Sequence, residues 1–215
     1  MMNTQLIETQ KILLVKRNYR ISKRVFDISL CMLAGLVIIP VMVIIALLIF
    51  LDNPGPVIFK QLRTGKGGRR FAMYKFRTMV TNAEELKEKY VHLNELTWPD
   101  FKINNDPRVT RIGSFLRKAS LDELPQFINV LKGEMSLVGP RPTSFDVSTY
   151  SLWHTERLEV LPGITGLWQV SGRSDVDFDE RLRLDVEYIE HQSLWLDIEI
   201  LYRTISTVFT QRGAY

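Results

Sequence analysis

A charge-free apolar run from Ile28 to Leu51 constrains this 215-residue chain more than any other feature. One transmembrane helix needs roughly 20 apolar residues, so the run is long enough to cross a bilayer. Pro40 lies in its middle, where a proline removes one helix hydrogen bond and clashes with the preceding turn. The sequence therefore predicts a membrane-embedded helix that is broken or kinked near Pro40.

Basic residues flank this run on both sides, whereas a simple span carries its excess of Lys and Arg on one side only. The flanking residues are Lys11, Lys16, Arg17, Arg20, Lys23 and Arg24 before the run, and Lys60, Arg63, Lys66, Arg69, Arg70, Lys75 and Arg77 after it. A kinked span remains an alternative. We favour a re-entrant helix that bends at Pro40 and returns to the same face, each half being about 18 Å long.

This interpretation divides the chain into a lead-in (1–22), a re-entrant membrane helix (23–52) and a globular domain (53–215). Lys23, Arg24 and Asp27 mark the entry of the helix, and we expect Asp27 to pair with Lys23 or Arg24 within one turn. The net charge of +4 is concentrated beside the membrane segment, which favours anionic lipid and phosphorylated substrates over nucleic acid. The single cysteine, Cys31, excludes an intrachain disulfide and indicates a reducing compartment.

The remainder of the chain reads as an α+β domain of short helices with one β-hairpin. Val57–Leu62 and Arg70–Met79 are typical of strands, and a glycine-rich loop over 64–68 joins them. Lys75 and Arg77 would share one strand face. That face is either solvated or a cationic wall for phosphates, and spacing leaves both open.

Two adjacent carboxylates, Asp122 and Glu123, lie between a basic helix and Pro125. Pro125 suits the first position of a new helix, and Gly133 would end that helix. One interpretation is a capping box with Ser120 as N-cap. The other is a carboxylate that acts as a nucleophile or holds a divalent cation beside a phosphate.

Two further segments have open interpretations. Arg141 between two prolines is either a preorganised phosphate clamp or part of a rigid surface loop. The broadly apolar closing helix from Leu194 to Phe209 either lies amphipathically on the bilayer surface or packs as an ordinary terminal helix.

From about Lys23 onward, the chain resembles the bacterial sugar transferases, also called monotopic phosphoglycosyl transferases. The matching segments, in order, are Lys23-Arg24-Val25-Phe26-Asp27, the apolar run with Pro40, Gly55-Pro56-Val57-Ile58-Phe59-Lys60-Gln61, Lys75-Phe76-Arg77-Thr78-Met79, Asp106-Pro107-Arg108-Val109-Thr110-Arg111-Ile112-Gly113, Ser120-Leu121-Asp122-Glu123-Leu124-Pro125-Gln126, Ser136 to Pro142, and Pro162 to Gly172.

The resemblance implies a re-entrant helix with the catalytic domain on the cytoplasmic face of the bacterial inner membrane. It implies transfer of a sugar 1-phosphate from a UDP-sugar to polyprenyl (undecaprenyl) phosphate, with release of UMP. Asp122 matches the nucleophile, and Glu123 its partner in an Asp-Glu dyad with Mg²⁺. Together with Arg77 from the strand face, the expected phosphate-site residues are Lys75, Arg77, Arg117, Arg141 and Asp185.

Two other functions remain in view. One is a membrane-anchored adaptor in which the Asp-Glu pair only caps a helix. The other is a single-step transferase in which Asp122 is a base. The sequence leaves open the sugar, the glycan pathway (capsule, exopolysaccharide or lipopolysaccharide) and the oligomeric state, a homodimer included.

Overall fold

The computed structural model describes residues 2–94, 103, 105–144, 152–171 and 178–209. Helix α1 spans Met2–Asp52, and its part Asn18–Asp52 is long and apolar enough to cross a membrane. The most apolar window of that part has a mean hydropathy of 3.1 and is 11% buried. An apolar N-terminal helix is thus present as predicted.

Pro40 lies inside α1, and the helix continues on both sides of it. The predicted break at Pro40 is therefore not confirmed, and the boundary predicted between residues 22 and 23 falls within one helix. The globular part nevertheless contacts both ends of the apolar segment. Cys31 is buried in one hydrophobic cluster, and Ile45 and Ile49 are buried in another.

Strands β1 (Ile58–Thr64) and β2 (Arg70–Phe76) form the predicted antiparallel hairpin. Ile58 pairs with Phe76 and Thr64 with Arg70, so the glycine-rich turn closes the hairpin where the sequence indicated. A second, parallel pair joins β3 (Ser136–Val138) to β4 (Gly163–Thr165). The helices after the hairpin are α2 (Lys87–Tyr90), α3 (Arg111–Lys118), α4 (Gln126–Lys132), α5 (Leu167–Ser171), α6 (Phe178–His191) and α7 (Leu194–Phe209). Short helices with small sheets confirm the α+β class.

Two hydrophobic clusters hold these elements together. The larger includes Met73 of β2, Val130 of α4, Val138 of β3 and Ile200 of α7. The smaller joins Phe76 and Leu116 to Ile45 and Ile49 of α1. Because β2 contributes to both clusters, the hairpin fixes α3 and α4 relative to each other, and the segment between these helices carries the candidate site.

One face of α7 stays outside the clusters. Trp195, Ile198, Tyr202 and Ile205 are exposed, whereas Asp197 and Ile200 are buried. The helix therefore packs on one side and presents an apolar stripe on the other.

Candidate active site

Asp122 and Glu123 lie in a single 3-10 turn, Leu121–Glu123, between α3 and α4. Ser120 enters this turn in the left-handed conformation with φ 55°, and its side chain makes no capping hydrogen bond. The capping-box interpretation is therefore wrong, because a capping side chain requires extended backbone at that residue. Pro125 directly precedes α4, and Gly133 ends it at φ 80°, which confirms the predicted helix end.

Glu123 is held by two cations. Lys75 Nζ lies 2.8 Å from Glu123 Oε1, and Arg141 donates from Nη2 to Oε1 at 2.5 Å and from Nη1 to Oε2 at 3.3 Å. Although burial opposes ionisation, Arg141 and Lys75 hold the pKa of Glu123 well below its usual range. Glu123 is thus a fixed anion that orients two cations beside Asp122.

Asp122 has a different environment. Its nearest cation is Lys75, with Nζ 3.6 Å from Oδ2, and 13% of its side chain is exposed. Burial raises the pKa of Asp122, Lys75 opposes this, and the charge of Glu123 adds to it. A carboxylate that is near several cations but clamped by none is free to bond a phosphorus atom.

Arg117 extends the cationic surroundings of Asp122. Its Nε donates to Thr78 Oγ1 at 2.9 Å, just after β2. Burial lowers the pKa of Arg117, and the charge of Asp122 opposes that shift. A Cβ on Gly113 of α3 would lie 2.1 Å from the carbonyl oxygen of Thr78, so only glycine allows α3 to approach Thr78 this closely.

Asp185 lies behind Arg141 rather than beside Asp122. Its buried carboxylate forms an ion pair with Arg157 at 2.6 Å, and Arg157 Nη2 donates to the carbonyl oxygen of Arg141 at 2.7 Å. Burial raises the pKa of Asp185 to about 6, with Arg157 opposing. Sequence reasoning missed Arg157, since it stands in none of the recognised motifs and only the folded chain brings it against Arg141.

Comparison with known proteins shows which family this sequence matches. The family model described as "Bacterial sugar transferase" matches residues 18–211. The chain belongs to this family. It is 46% identical over 207 residues to the undecaprenyl-phosphate galactose phosphotransferase of Salmonella typhimurium, covering 94% of this chain and 43% of that protein. It is 42% identical over 209 residues to the UDP-glucose:undecaprenyl-phosphate glucose-1-phosphate transferase of Escherichia coli, covering 91% and 42%.

A third relative is matched over most of its own length. The exopolysaccharide production protein ExoY of Rhizobium meliloti is 40% identical over 199 residues, covering 90% of this chain and 88% of that protein. The chain therefore spans less than half of the Salmonella and Escherichia relatives but most of ExoY.

In this member of the family, the fold brings together Lys75, Arg117 and Arg141 around Asp122 and Glu123. Arg77 does not join them. It lies one residue beyond β2, is buried, and donates from Nη2 to the carbonyl oxygen of Asn53. Its predicted phosphate contact finds no support in these contacts.

The predicted entry residues of the membrane helix lie apart from the carboxylate pair. Asp27 accepts hydrogen bonds from Ser136 Oγ at 2.7 Å and Leu137 N at 3.3 Å, and Lys23 pairs with Asp197 at 2.8 Å. The expected ion pair of Asp27 with Lys23 or Arg24 is therefore replaced by contacts to β3 and α7.

Proposed function

We propose that this protein transfers a sugar 1-phosphate from a UDP-sugar to polyprenyl phosphate, with Asp122 as the covalent nucleophile. The proposal rests mainly on the two adjacent carboxylates of the cationic site. Glu123 is clamped by Lys75 and Arg141, whereas Asp122 remains open to a substrate. The names of the Salmonella and Escherichia relatives support the choice of substrates. The reaction would begin assembly of a cell-surface glycan.

In the first step, an Asp122 oxygen attacks the sugar-bearing phosphorus of the donor. The new bond from Asp122 oxygen to phosphorus forms as the bond from phosphorus to the bridging oxygen breaks. UMP leaves with that electron pair. Lys75, Arg117 and Arg141 neutralise the charge that otherwise repels a carboxylate from a diphosphate.

In the second step, a phosphate oxygen of the lipid acceptor attacks the same phosphorus. The bond from Asp122 oxygen to phosphorus breaks, and the carboxylate is regenerated. The covalent intermediate lets a water-soluble donor and a membrane-embedded acceptor use one site in turn. Through both steps Glu123 Oε1 keeps Lys75 and Arg141 in position, while Glu123 Oε2, which Arg141 Nη1 approaches only to 3.3 Å, would be the oxygen available to a metal ion.

The Asp122–Glu123 pair fits a Mg²⁺ site completed by substrate. Within the described ranges, no group of three or more Asp, Glu, His or Cys side chains could enclose a metal. Mg²⁺ usually takes one or two carboxylates together with substrate phosphate oxygens and water, so two carboxylates suffice. When bound, the ion would supply further charge neutralisation at the phosphates.

The contacts of α1 support attachment to the membrane from one side. Asp197 of α7 holds Lys23 at 2.8 Å, and at the other end Ile112 N donates to Asp52 Oδ2 at 3.3 Å. Both ends of the apolar segment thus contact the same polar globular part, while its middle, including Leu36 and Val37, is exposed. These contacts support a re-entrant helix, since a span would place its ends on opposite sides of the bilayer.

The globular part would then rest on the cytoplasmic face of the inner membrane. The exposed apolar stripe of α7, defined by Trp195, Ile198, Tyr202 and Ile205, supports a membrane-surface role for that helix.

UMP release from UDP-sugars with polyprenyl phosphate tests the proposal. We expect Asp122→Asn to lower release by roughly 10³-fold or more, as removal of a nucleophile does. Exposed Asp179→Asn on α6 is the matched control and should retain activity. EDTA should abolish release and Mg²⁺ restore it. Near-normal UMP release by Asp122→Asn would show that Asp122 is not the nucleophile. UMP release that resists EDTA would show that the reaction does not need the metal ion.

A further inference from the structure

A cavity outside the candidate active site lies where α1 meets the β1–β2 turn and α6. Its volume is about 110 Å³, and its lining includes Tyr19, Arg20, Lys23, Arg24, Asp27 and Lys66. Since a cavity for one water needs roughly 10–15 Å³, this one has room for a phosphate group. None of these residues belongs to the cluster around Asp122.

The cavity has more positive than negative charge. Lys23 pairs with Asp197 at 2.8 Å, and Arg24 donates to the carbonyl oxygens of Val130 and Leu131 at 2.5 and 2.9 Å. Arg20 and Lys66 line the cavity and are exposed, and neither has a carboxylate within ion-pair distance in the part of the chain that the structure describes. Burial and the nearby charge of Arg20 lower the pKa of Lys66, as expected for two cations that face each other.

The cavity is separate from the candidate active site. Arg24 contacts the last turn of α4, whereas Asp122 and Glu123 precede the first residue of that helix. Seven helical residues rise about 10 Å, so α4 separates the two groups of cations. An anion in this cavity would leave Lys75 and Arg141 available to substrate.

The position along α1 identifies the class of ligand. Arg20, Lys23, Arg24 and Asp27 immediately precede Ile28, the first residue of the charge-free run. If that run enters the bilayer as in the proposed function, on which this step depends, the cavity lies at the level of the lipid phosphates. Lys and Arg at that level attract anionic headgroups.

We propose that this cavity binds the phosphate of an anionic glycerophospholipid, with the acyl chains along the exposed apolar surface of α1. Arg20 and Lys66 would contact the phosphate oxygens, and Lys23 and Arg24 would form the cationic wall behind them. The bound lipid would fix the depth of α1 independently of the sugar-transfer chemistry.

Native mass spectrometry of the full chain in detergent tests this site, with phosphatidylglycerol, phosphatidylcholine, undecaprenyl phosphate or inorganic phosphate as probes. We expect tight retention of phosphatidylglycerol and weak retention of phosphatidylcholine. The double variant Arg20→Gln, Lys66→Gln should bind phosphatidylglycerol roughly 10- to 30-fold more weakly, at about a factor of five per cation. Arg20→Lys with Lys66→Arg should restore binding.

The matched control is Lys60→Gln with Arg69→Gln, which removes the same charges from exposed positions of the hairpin outside the cavity. If this control loses phosphatidylglycerol binding to the same extent, the proposal is overturned, because the general positive charge of the surface then explains the binding. Equal retention of phosphatidylcholine would also overturn it, as would stronger binding of undecaprenyl phosphate or competition by inorganic phosphate at equal concentration.

The same assay separates this proposal from the proposed function. Asp122→Asn should retain phosphatidylglycerol like the unmodified protein, because the cavity does not contain Asp122. Retention of phosphatidylglycerol without any UMP release would support the lipid site and contradict the transferase activity. UMP release without retention of phosphatidylglycerol would support the transferase activity and contradict the lipid site.

Discussion

Adjacent residues of one turn have opposite electrostatic environments. Glu123 accepts hydrogen bonds from Arg141 and Lys75, and these cations keep its pKa low. Asp122 is 3.6 Å from Lys75, and burial raises its pKa. Two carboxylates whose pKa values are pushed apart suit different roles, a fixed anion and a nucleophile.

Lys75 sets the pH range over which Asp122 is ionised. Its charge lowers the pKa of Asp122, so Lys75→Gln should raise that pKa further. Only the carboxylate attacks phosphorus, so the acidic limb of kcat against pH should move to higher pH. The measurement is kcat from pH 5 to 9.

Lys75→Arg is the control for this prediction, because it retains the positive charge. Its acidic limb should stay near that of the unmodified protein. An unshifted limb in Lys75→Gln would show that Lys75 does not control the ionisation of Asp122.

Sequence reasoning singled out Asp122, Glu123 and Arg141 because each lies in a short segment that contains proline. The prolines restrict the local backbone, so its conformation could be predicted. Arg157 escaped because its partners, Arg141 and Asp185, are brought to it by tertiary packing. Arg77 was assigned to the face of Lys75 by strand alternation, but its side chain is buried against the carbonyl oxygen of Asn53, a tertiary contact that the alternation does not reveal.

At the scale of elements, the close approach of α3 to Thr78 positions Arg117. Thr110 caps α3 by accepting from Gly113 N at 3.0 Å, and Thr110 N donates to the carbonyl oxygen of Thr78 at 3.0 Å. Arg117, farther along the same helix, then reaches Thr78 Oγ1. These contacts therefore fix the position of Arg117 relative to α3 and to the loop after β2.

Gly113→Ala should disrupt this arrangement. The new Cβ would lie 2.1 Å from a backbone oxygen, so α3 must shift away from Thr78. We expect a loss of roughly 1–3 kcal/mol in the free energy of unfolding, typical of overpacking, together with reduced UMP release. Thermal unfolding in detergent measures the first effect.

Gly35→Ala is the matched control within α1. Its Cβ would make only an ordinary contact, 3.8 Å from Ile39 Cδ1, so stability should be unchanged or slightly higher. Equal destabilisation by both substitutions would contradict the role given to the close approach at Gly113.

Elements with a local signal were the ones predicted well. The glycine-rich turn fixed the hairpin, and Gly133 ended α4 where expected. The capping box failed at Ser120 because the chain turns there in a left-handed conformation, which its motif did not reveal. The parallel pair of β3 and β4 has too few residues to produce a periodic pattern.

At the scale of the whole molecule, both ends of the apolar segment are attached to one globular part. Lys23 and Tyr19 contact Asp197 of α7, and Asp52 contacts Ile112 of α3. Charge on both flanks had already suggested this arrangement in the sequence. Pro40 alone did not determine it, since α1 continues through that residue.

Cysteine labelling tests the arrangement. In a Cys31→Ala background, Asn18→Cys and Lys60→Cys should both react with a membrane-impermeant maleimide in inside-out vesicles and remain unlabelled in intact cells. Val37→Cys, from the exposed middle of α1, should react in neither because the bilayer covers it. Labelling of Asn18→Cys and Lys60→Cys from opposite sides would establish a span.

The most direct test of the whole account is intact mass spectrometry of the purified protein after rapid quench with a UDP-sugar and Mg²⁺, without lipid acceptor. The account predicts an added mass of one sugar phosphate, located on Asp122, lost when polyprenyl phosphate is supplied, and absent from Asp122→Asn. UMP release and product formation without any such adduct, at every quench time, would contradict it and favour direct transfer.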